Sequence, residues 1–365
     1  MKIGVPKEQD DPRIALVPAV IEKIRKQLGV EVVVERDAGQ QAYVTNEALE
    51  TAGATIGTRQ DVLQCDLIIS YHPLPDEELQ QLPKSTWLIS MFKPYFDSTI
   101  TEKLRKLGLK AFSMDMIPRT TRAQSMDVLS SMASLAGYQA TLLAATHLPR
   151  YFPMMITAAG SIKPATVVVL GAGVAGLQAI ATARRLGAVV EAFDTRSAAK
   201  EEVLSLGAKF IEVEGAKEDT SAGGYAVEQD EDFLRRQREE VQRRAAKADV
   251  LITTAQVRGR KAPLLVPKET VEKMRPGSVI VDLAASTGGN CALTKDKQTI
   301  VHHGVTIIGN SELAAQKPMD ASILFANNVF NFLKLIIKDG ALHLDLDDDI
   351  VASALFVREE AAAEN

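Results

Sequence analysis

The stretch TVVVLGAGVAGLQAIATARRLGAVVEAFDTR, residues 166–196, admits few folds. TVVVL is an uncharged, β-branched run, and its composition suits a strand buried on both faces. It leads into GAGVAG (171–176), a G-x-G-x-x-G turn, and then into a helical pattern. A second strand, VVEAF, ends at Asp194. The glycine pattern alone is weak, because glycine-rich turns are common. A strand before it, a helix after it and an acid roughly 20 residues on specify a βαβ unit that holds a dinucleotide. Gly171 permits the tight turn, Gly173 lets the backbone approach a pyrophosphate, and Gly176 lets helix and strand pack closely. The helix N-terminus at Val174 then faces the anion. Asp194 is placed to accept hydrogen bonds from the adenosine ribose, where a 2′-phosphate would meet a carboxylate. That favours NAD over NADP. Thr195, next in the chain, is expected to contact the cofactor as well. Arg196 points the other way, since arginine recruits a 2′-phosphate; its plain reading is a surface arginine against the adenine face or solvent.

The chain has 365 residues, about right for two domains. Strands and helices alternate from the start. KIGV (2–5), EVVVE (31–35), CDLIISY (65–71), TWLIS (86–90) and LKAFSM (109–114) read as strands. PAVIEKIRKQLG (18–29), TNEALETAG (45–53) and STITEKLRKLG (98–108) read as helices closed by glycine. In the second run KFIEV (209–213), DVLITT (249–254), SVIVDL (278–283) and VTIIG (305–309) extend the sheet. The fold class is α/β, with two Rossmann-like domains, parallel sheets and the second, dinucleotide-binding domain inserted into the first. Residues 1–130 plus 315–365 form the first, completed by the apolar helix ASILFANNVFNFLKLII (321–337). Residues 145–312 form the second, and 128–149 is a linking helix. Residues 214–247 read as a Gly-rich mobile loop followed by a charged, solvated helix.

Net charge is −5, so no basic face is implied and nucleic acid is not an expected partner. Cys65 and Cys291 lack metal-ligand spacing, and Cys65 reads as a buried small hydrophobe in a reduced, cytoplasmic chain. MKIGVPKEQDD has no apolar core for a signal peptide. The uncharged windows 128–149 and 164–183 are long enough to span a bilayer. Serines, Gln139 and His147 in the first and glycines in the second favour a buried helix and a strand–turn–helix instead. No direct membrane span is expected.

One loop carries unusual polarity. PRTTRAQSMD (118–127) packs arginines, a glutamine and an aspartate between an apolar strand and a long uncharged stretch. Together with GVPKE (4–8), FPMMITAAG (152–160), GGYA (223–226), DLAASTGGNCALT (282–294) and ASILFANNVFNFL (321–333), it resembles the NAD(H)-binding component (domain I, the alpha-1 subunit) of proton-translocating nicotinamide nucleotide transhydrogenase, over essentially the whole chain. The resemblance implies hydride transfer from NADH to NADP⁺ with the two nicotinamides face to face. That reaction needs positioning and exclusion of water rather than a general base. It implies that Arg119 contacts the carboxamide, that Asp127 holds Arg119, that Gln124 reaches the nicotinamide ribose and the facing nucleotide, and that Ser130 bonds the carboxamide. Gly224 and Tyr225 would belong to a closing loop, and Gln237 and Gln256 to nucleotide contacts. Arg122 reads as a plain surface charge. The chain departs from the family at VRGR (257–260), Met132 and Ala133. Implied partners are an NADP(H)-binding subunit and a membrane-spanning subunit on other chains, with a homodimer. The location would be cytoplasmic, peripheral to the membrane through those partners.

Alanine dehydrogenase shares the architecture and is the rival. Its family pattern has a lysine where this chain has Tyr71 and a histidine that ISMFKPYF (89–96) lacks. The amino-acid site is therefore expected to be absent, with His72 and Lys93 as surface residues. A NAD-sensing module without chemistry is the third reading. The five histidines, His72, His147, His302, His303 and His343, form no acid/base set. His147 reads as a core residue. The pair His302 and His303 reads as a turn rather than a metal site, with no carboxylate at ligand spacing.

Overall fold

The computed structural model describes residues 1–213 and 231–357. The chain divides into two compact units, Met1–Met132 with Ala315–Asn365, and Ala133–Ala314.

The sheet of the first unit has the spatial order Leu355–Val357, Lys110–Ser113, Trp87–Ser90, Leu67–Ile69, Lys2–Val5, Glu31–Glu35, Thr55–Gly57. All neighbours are parallel except Leu355–Val357, which runs antiparallel to Lys110–Ser113. Chain order therefore reverses between Lys2–Val5 and Leu67–Ile69, a topological switch point. The central strands are apolar because both faces are covered: Ile3, Val5, Leu67, Ile68 and Ile69 are fully buried. The helix Pro18–Lys23 begins with proline, widens into a π-helical turn over Ile24–Leu28, and stops at Gly29 in the left-handed region (φ 65°). The helix Pro318–Ile336 belongs to this unit, and its Ser322 hydroxyl accepts the Ile14 N–H at 3.0 Å.

The sheet of the second unit runs Lys209–Phe210, Val189–Phe193, Thr166–Leu170, Val250–Thr253, Val279–Asp282, Val305–Gly309, Gln298–His302. Again all pairs are parallel but the last. Its switch point lies between Thr166–Leu170 and Val250–Thr253, beside the glycine turn. Both are doubly wound α/β sheets that share the order of their first five strands and differ in how the last two are arranged.

Three strands of these two sheets escaped the sequence pattern, as did the short hairpins Met155–Thr157 with Gly160–Ile162 and Ile337–Lys338 with Ala341–Leu342. Thr55–Gly57 and Leu355–Val357 are too short to show a period, and Gln298–His302 is a polar, exposed edge. The expected strand 209–213 shrinks to Lys209–Phe210, an edge strand bonded on one side only. The helix Val128–His147 is long and apolar enough to cross a membrane by length and composition. Only some of its residues are buried, and Ala136, Ala140 and Ala144 pack into the core of the second unit. His147, expected in the core, is exposed and keeps its ring nitrogen 2.9 Å from the Leu143 carbonyl, one turn back. The buried stripe continues from Ala144 to Leu148, and His147 lies off it.

Candidate functional site

In the second unit the three glycines do different work. Gly171 sits at φ 104°, open to glycine and strained for other residues. The Thr254 hydroxyl donates to its carbonyl at 3.0 Å and pins the turn to the next strand. A Cβ on Gly176 would come 1.8 Å from the Gly171 carbonyl oxygen, so helix and turn are in backbone contact there. A Cβ on Gly173 would meet nothing within 4 Å, although its φ of −77° suits any residue. Glycine at 173 is thus unneeded for the fold and leaves an open face at the backbone. Helix Val174–Arg185 starts there with no side chain capping it, so its first N–H groups and its dipole face that opening. The residues fit the diphosphate of a dinucleotide.

Asp194 lies at the end of the neighbouring strand. Its Oδ2 accepts the Ala172 N–H at 2.7 Å, which fixes the glycine turn, and its Oδ1 accepts the Arg196 N–H at 2.9 Å. The Arg196 guanidinium lies side-on to the same carboxylate, Nε 3.0 Å from Oδ1 and Nη2 3.0 Å from Oδ2. Arg196 thus pairs with Asp194, in place of the surface role expected against adenine or solvent. Burial raises the Asp194 carboxyl, but the bonds from Arg196 and Ala172 outweigh it and hold it below the usual range, ionised at neutral pH. Thr195 and Val174 are exposed beside this group. The Gln256 side chain donates to the Leu283 carbonyl at 2.8 Å, and Gln237 lies half-buried on the helix Glu231–Ala245. Gly224 and Tyr225 fall outside the described residues.

The polar loop of the first unit is a 3-10 turn, Thr121–Met126, followed by the helix Val128–His147. Arg119 and Gln124 are exposed. The Asp127 carboxylate is spent on the helix start, accepting the Ser130 N–H at 2.9 Å and the Ser130 hydroxyl at 2.6 Å. It therefore caps a helix and makes no hydrogen bond to Arg119, contrary to the expectation that it holds that side chain. Arg122 is a bidentate partner of Asp348, at 2.6 and 2.8 Å, and also pairs with Asp349. Asp348 in turn caps the helix Asp349–Ala354. The loop is held from behind: Asn328 and Asn331 on Pro318–Ile336 both donate to the Ser125 carbonyl, at 2.9 and 3.2 Å.

The switch point of the first unit is filled by its own side chains. The Arg13 side chain is 1% exposed and its guanidinium carbon lies 3.4 Å from the Tyr71 ring centroid. Asp11 takes that guanidinium side-on, with Nε at 2.8 Å, and is also 2.9 Å from His72 Nε2. Glu8 accepts the Tyr71 and His72 N–H groups at 2.6 and 3.2 Å. His72 is thus built into a charged cluster and is not a bare surface residue. Lys93 is exposed.

Two domain models of one family match the chain in succession: "Alanine dehydrogenase/PNT, N-terminal domain" over residues 4–136 and "Alanine dehydrogenase/PNT, C-terminal domain" over 140–364. The chain belongs to the alanine dehydrogenase/PNT family. Within that family it is 42% identical to "NAD(P) transhydrogenase subunit alpha" of Haemophilus influenzae, over 98% of this chain and 71% of that one. A crystal structure of transhydrogenase from Sinorhizobium meliloti superposes with a TM-score of 0.89 at 41% identity, covering 98% of both chains. Alanine dehydrogenase of Mycolicibacterium smegmatis is a distant relative, 24% identical over 97% of this chain and 92% of that one.

Other residues that organise this family member's site were not singled out from the sequence. Asp282, fully buried, accepts the Ala284, Asn290 and Cys291 N–H groups and the Thr294 hydroxyl. Asn290, equally buried, ties Ala255 and Pro263 to it. They explain why DLAASTGGNCALT is polar where it follows a buried strand. Only His303 lies in the turn, since His302 ends the strand Gln298–His302, and a carboxylate joins them: Glu272 lies 3.0 Å from His302 and 3.8 Å from His303. Sequence spacing missed it because the helix Lys268–Lys273 supplies it through the fold. The Lys268 ammonium already partners that carboxylate at 3.4 Å.

Proposed function

We propose that this chain is the NAD(H)-binding subunit of a proton-translocating transhydrogenase. It would present NADH for direct hydride transfer to NADP⁺ held by a partner subunit, with a membrane-spanning subunit coupling transfer to proton movement. The chain would lie at the membrane surface through those partners, as a homodimer. One observation carries the reading. The switch point of the second unit offers an open backbone face with an acid beside it, whereas that of the first unit is filled by Asp11, Arg13, Tyr71 and His72. A chain with a dinucleotide cradle and a self-filled second crevice suits a hydride acceptor carried on another protein.

The bound nucleotide supplies the hydride; this chain's groups bind and orient. The N–H groups at Gly173 and Val174 take the pyrophosphate, and Asp194 the adenosine ribose. Arg119 and Gln124 position the nicotinamide. Asp127 and Ser130 hold the start of the helix behind them. No proton is abstracted from a substrate, in keeping with a loop that offers hydrogen bonds without a histidine. The test mixes the chain with NADH, an NADP⁺ analogue and an NADP(H)-binding partner subunit. Rapid analogue reduction that needs all components supports the reading. Oxidation of alanine by the chain alone, at rates of order 1–10³ s⁻¹, would replace it with the amino-acid dehydrogenase reading.

A further inference from the structure

An ionised carboxylate offers roughly four acceptor positions. On Asp194 four donors already take them: the N–H groups of Ala172 (2.7 Å) and Arg196 (2.9 Å), and Nε and Nη2 of Arg196 (3.0 Å each). The two backbone donors are fixed in the chain. The Arg196 guanidinium is the pair that can leave; its side chain is 44% exposed and swings on a flexible stem, whereas that of Asp194 is 9% exposed. Its Nη2 also reaches the Ala172 carbonyl at 3.3 Å, so it lies against the glycine turn itself. A side-on guanidinium presents two parallel N–H donors, one to each oxygen. The vicinal hydroxyls of a ribose present two O–H donors with similar spacing.

We propose that Arg196 is an internal competitor for the ribose subsite, occupying Asp194 in the free protein and having to swing away when the adenosine ribose binds. This deepens the nucleotide reading above and rests on it. The ribose then contributes only the difference between its own bonds to Asp194 and those of the arginine. Removing the guanidinium should leave the carboxylate half-satisfied and more responsive to ribose hydroxyls. Arg196 thereby sets how strongly the site reads the sugar, while the diphosphate is read by the helix N-terminus.

The test compares ADP with 2′-deoxy-ADP, as competitors of NADH fluorescence, on the unmodified chain and on Arg196→Met. The two probes carry the same diphosphate, so loss of a positive charge affects both alike and the affinity ratio isolates the sugar. The ratio favouring ADP should rise about 2- to 5-fold in Arg196→Met, the scale of one exposed charged pair. Arg196→Lys keeps the charge but lacks a fork that spans both oxygens, and should move the ratio the same way by less. An unchanged or smaller ratio in Arg196→Met overturns the proposal. If neither protein binds NADH or ADP, the nucleotide reading itself fails, and the proposal with it.

Discussion

The Arg13 guanidinium lies on the face of the Tyr71 ring, 3.4 Å from its centroid, while the Asp11 carboxylate grips its edge. Both ends of this ion pair are withdrawn from water, at 1% and 5% side-chain exposure. Such a pair adds little over an apolar filling, but removing one partner leaves a buried charge without compensation. Asp11→Ala should therefore destabilise the first unit by about 3–5 kcal/mol. Trp87, the single tryptophan, stacks on Phe112 in the same sheet and reports on this unit. Urea unfolding followed by its fluorescence should shift to much lower denaturant. A midpoint within error of the unmodified protein would show that water reaches Arg13.

The same cluster sets opposite pH slopes. Burial raises the Asp11 carboxyl, but hydrogen bonds from Arg13 and His72 dominate and hold it well below the usual range. Its stabilisation is present above the unfolded value, about 3.9, and is lost as pH falls toward the folded value. Burial raises Glu8 and outweighs the bonds from Tyr71 and His72. Its stabilisation is present below about 4.3 and is lost as pH rises through its folded value. Relative to the unmodified chain, Glu8→Gln should be more favourable at pH 7 than at pH 4. Asp11→Asn should be less favourable at pH 7 than at pH 3. Unfolding free energies at these pH values check both signs.

How far the sequence reaches depends on the range of the interaction. The glycine turn and Asp194 were legible because strand, turn, helix and acid are contiguous. The helix cap at Asp127 was not, since the same carboxylate could have turned to Arg119; the start of the helix at Val128 decides for Ser130. The support of the loop by Asn328 comes from 203 residues away. Glu272 beside His302 is 30 residues off, on a separate helix. Pattern reading finds what one element specifies, and misses what only packing brings together.

That support makes the loop testable from behind. Replacing Asn328 and Asn331 together by alanine removes both bonds to the Ser125 carbonyl without touching Arg119 or Gln124. If the loop positions a nicotinamide, hydride transfer to an NADP⁺ analogue on the partner should fall by roughly 10- to 100-fold, the scale of a misplacement of about 1 Å. NADH affinity should stay within a few-fold, because the pyrophosphate and adenosine ends supply most of it. Gln124→Asn should give the same split. Since Asp127 and Arg119 share no hydrogen bond here, Arg119→Ala and Asp127→Asn should be near additive in the log of the rate. Stopped-flow transfer measures all of these, and an unslowed variant lacking both asparagines would remove the positioning role.

Asp194 acts on both the nucleotide and the turn, so its replacement should do two things at once. Asp194→Ala removes the ribose acceptor and frees the Ala172 N–H. The preference for NADH over NADPH should shrink, since a 2′-phosphate no longer meets a carboxylate. NADH affinity should also fall, because the pyrophosphate turn loosens. Fluorescence titration with both nucleotides reads the two effects separately. An unchanged preference would remove the ribose argument.

The two glycines separate function from fold. Gly173 has an ordinary φ of −77° and open space where a Cβ would stand, so Gly173→Ala strains nothing in the free protein. As the residue before the helix, alanine there costs about a kcal/mol or less. If a pyrophosphate lies against this backbone, the added methyl occupies its place, and NADH affinity should fall by roughly 100-fold, the scale of about 3 kcal/mol of lost close contact. Gly176→Ala is the reverse case. Its methyl would sit 1.8 Å from the Gly171 carbonyl oxygen, which is backbone and cannot step aside without opening the turn. That variant should lose stability by about 1–3 kcal/mol or more from overpacking, and nucleotide binding with it. Thermal unfolding and NADH titration of both variants decide the matter. Should Gly173→Ala bind NADH as the unmodified chain does, no diphosphate approaches the turn, and the open face at Gly173 serves some other purpose.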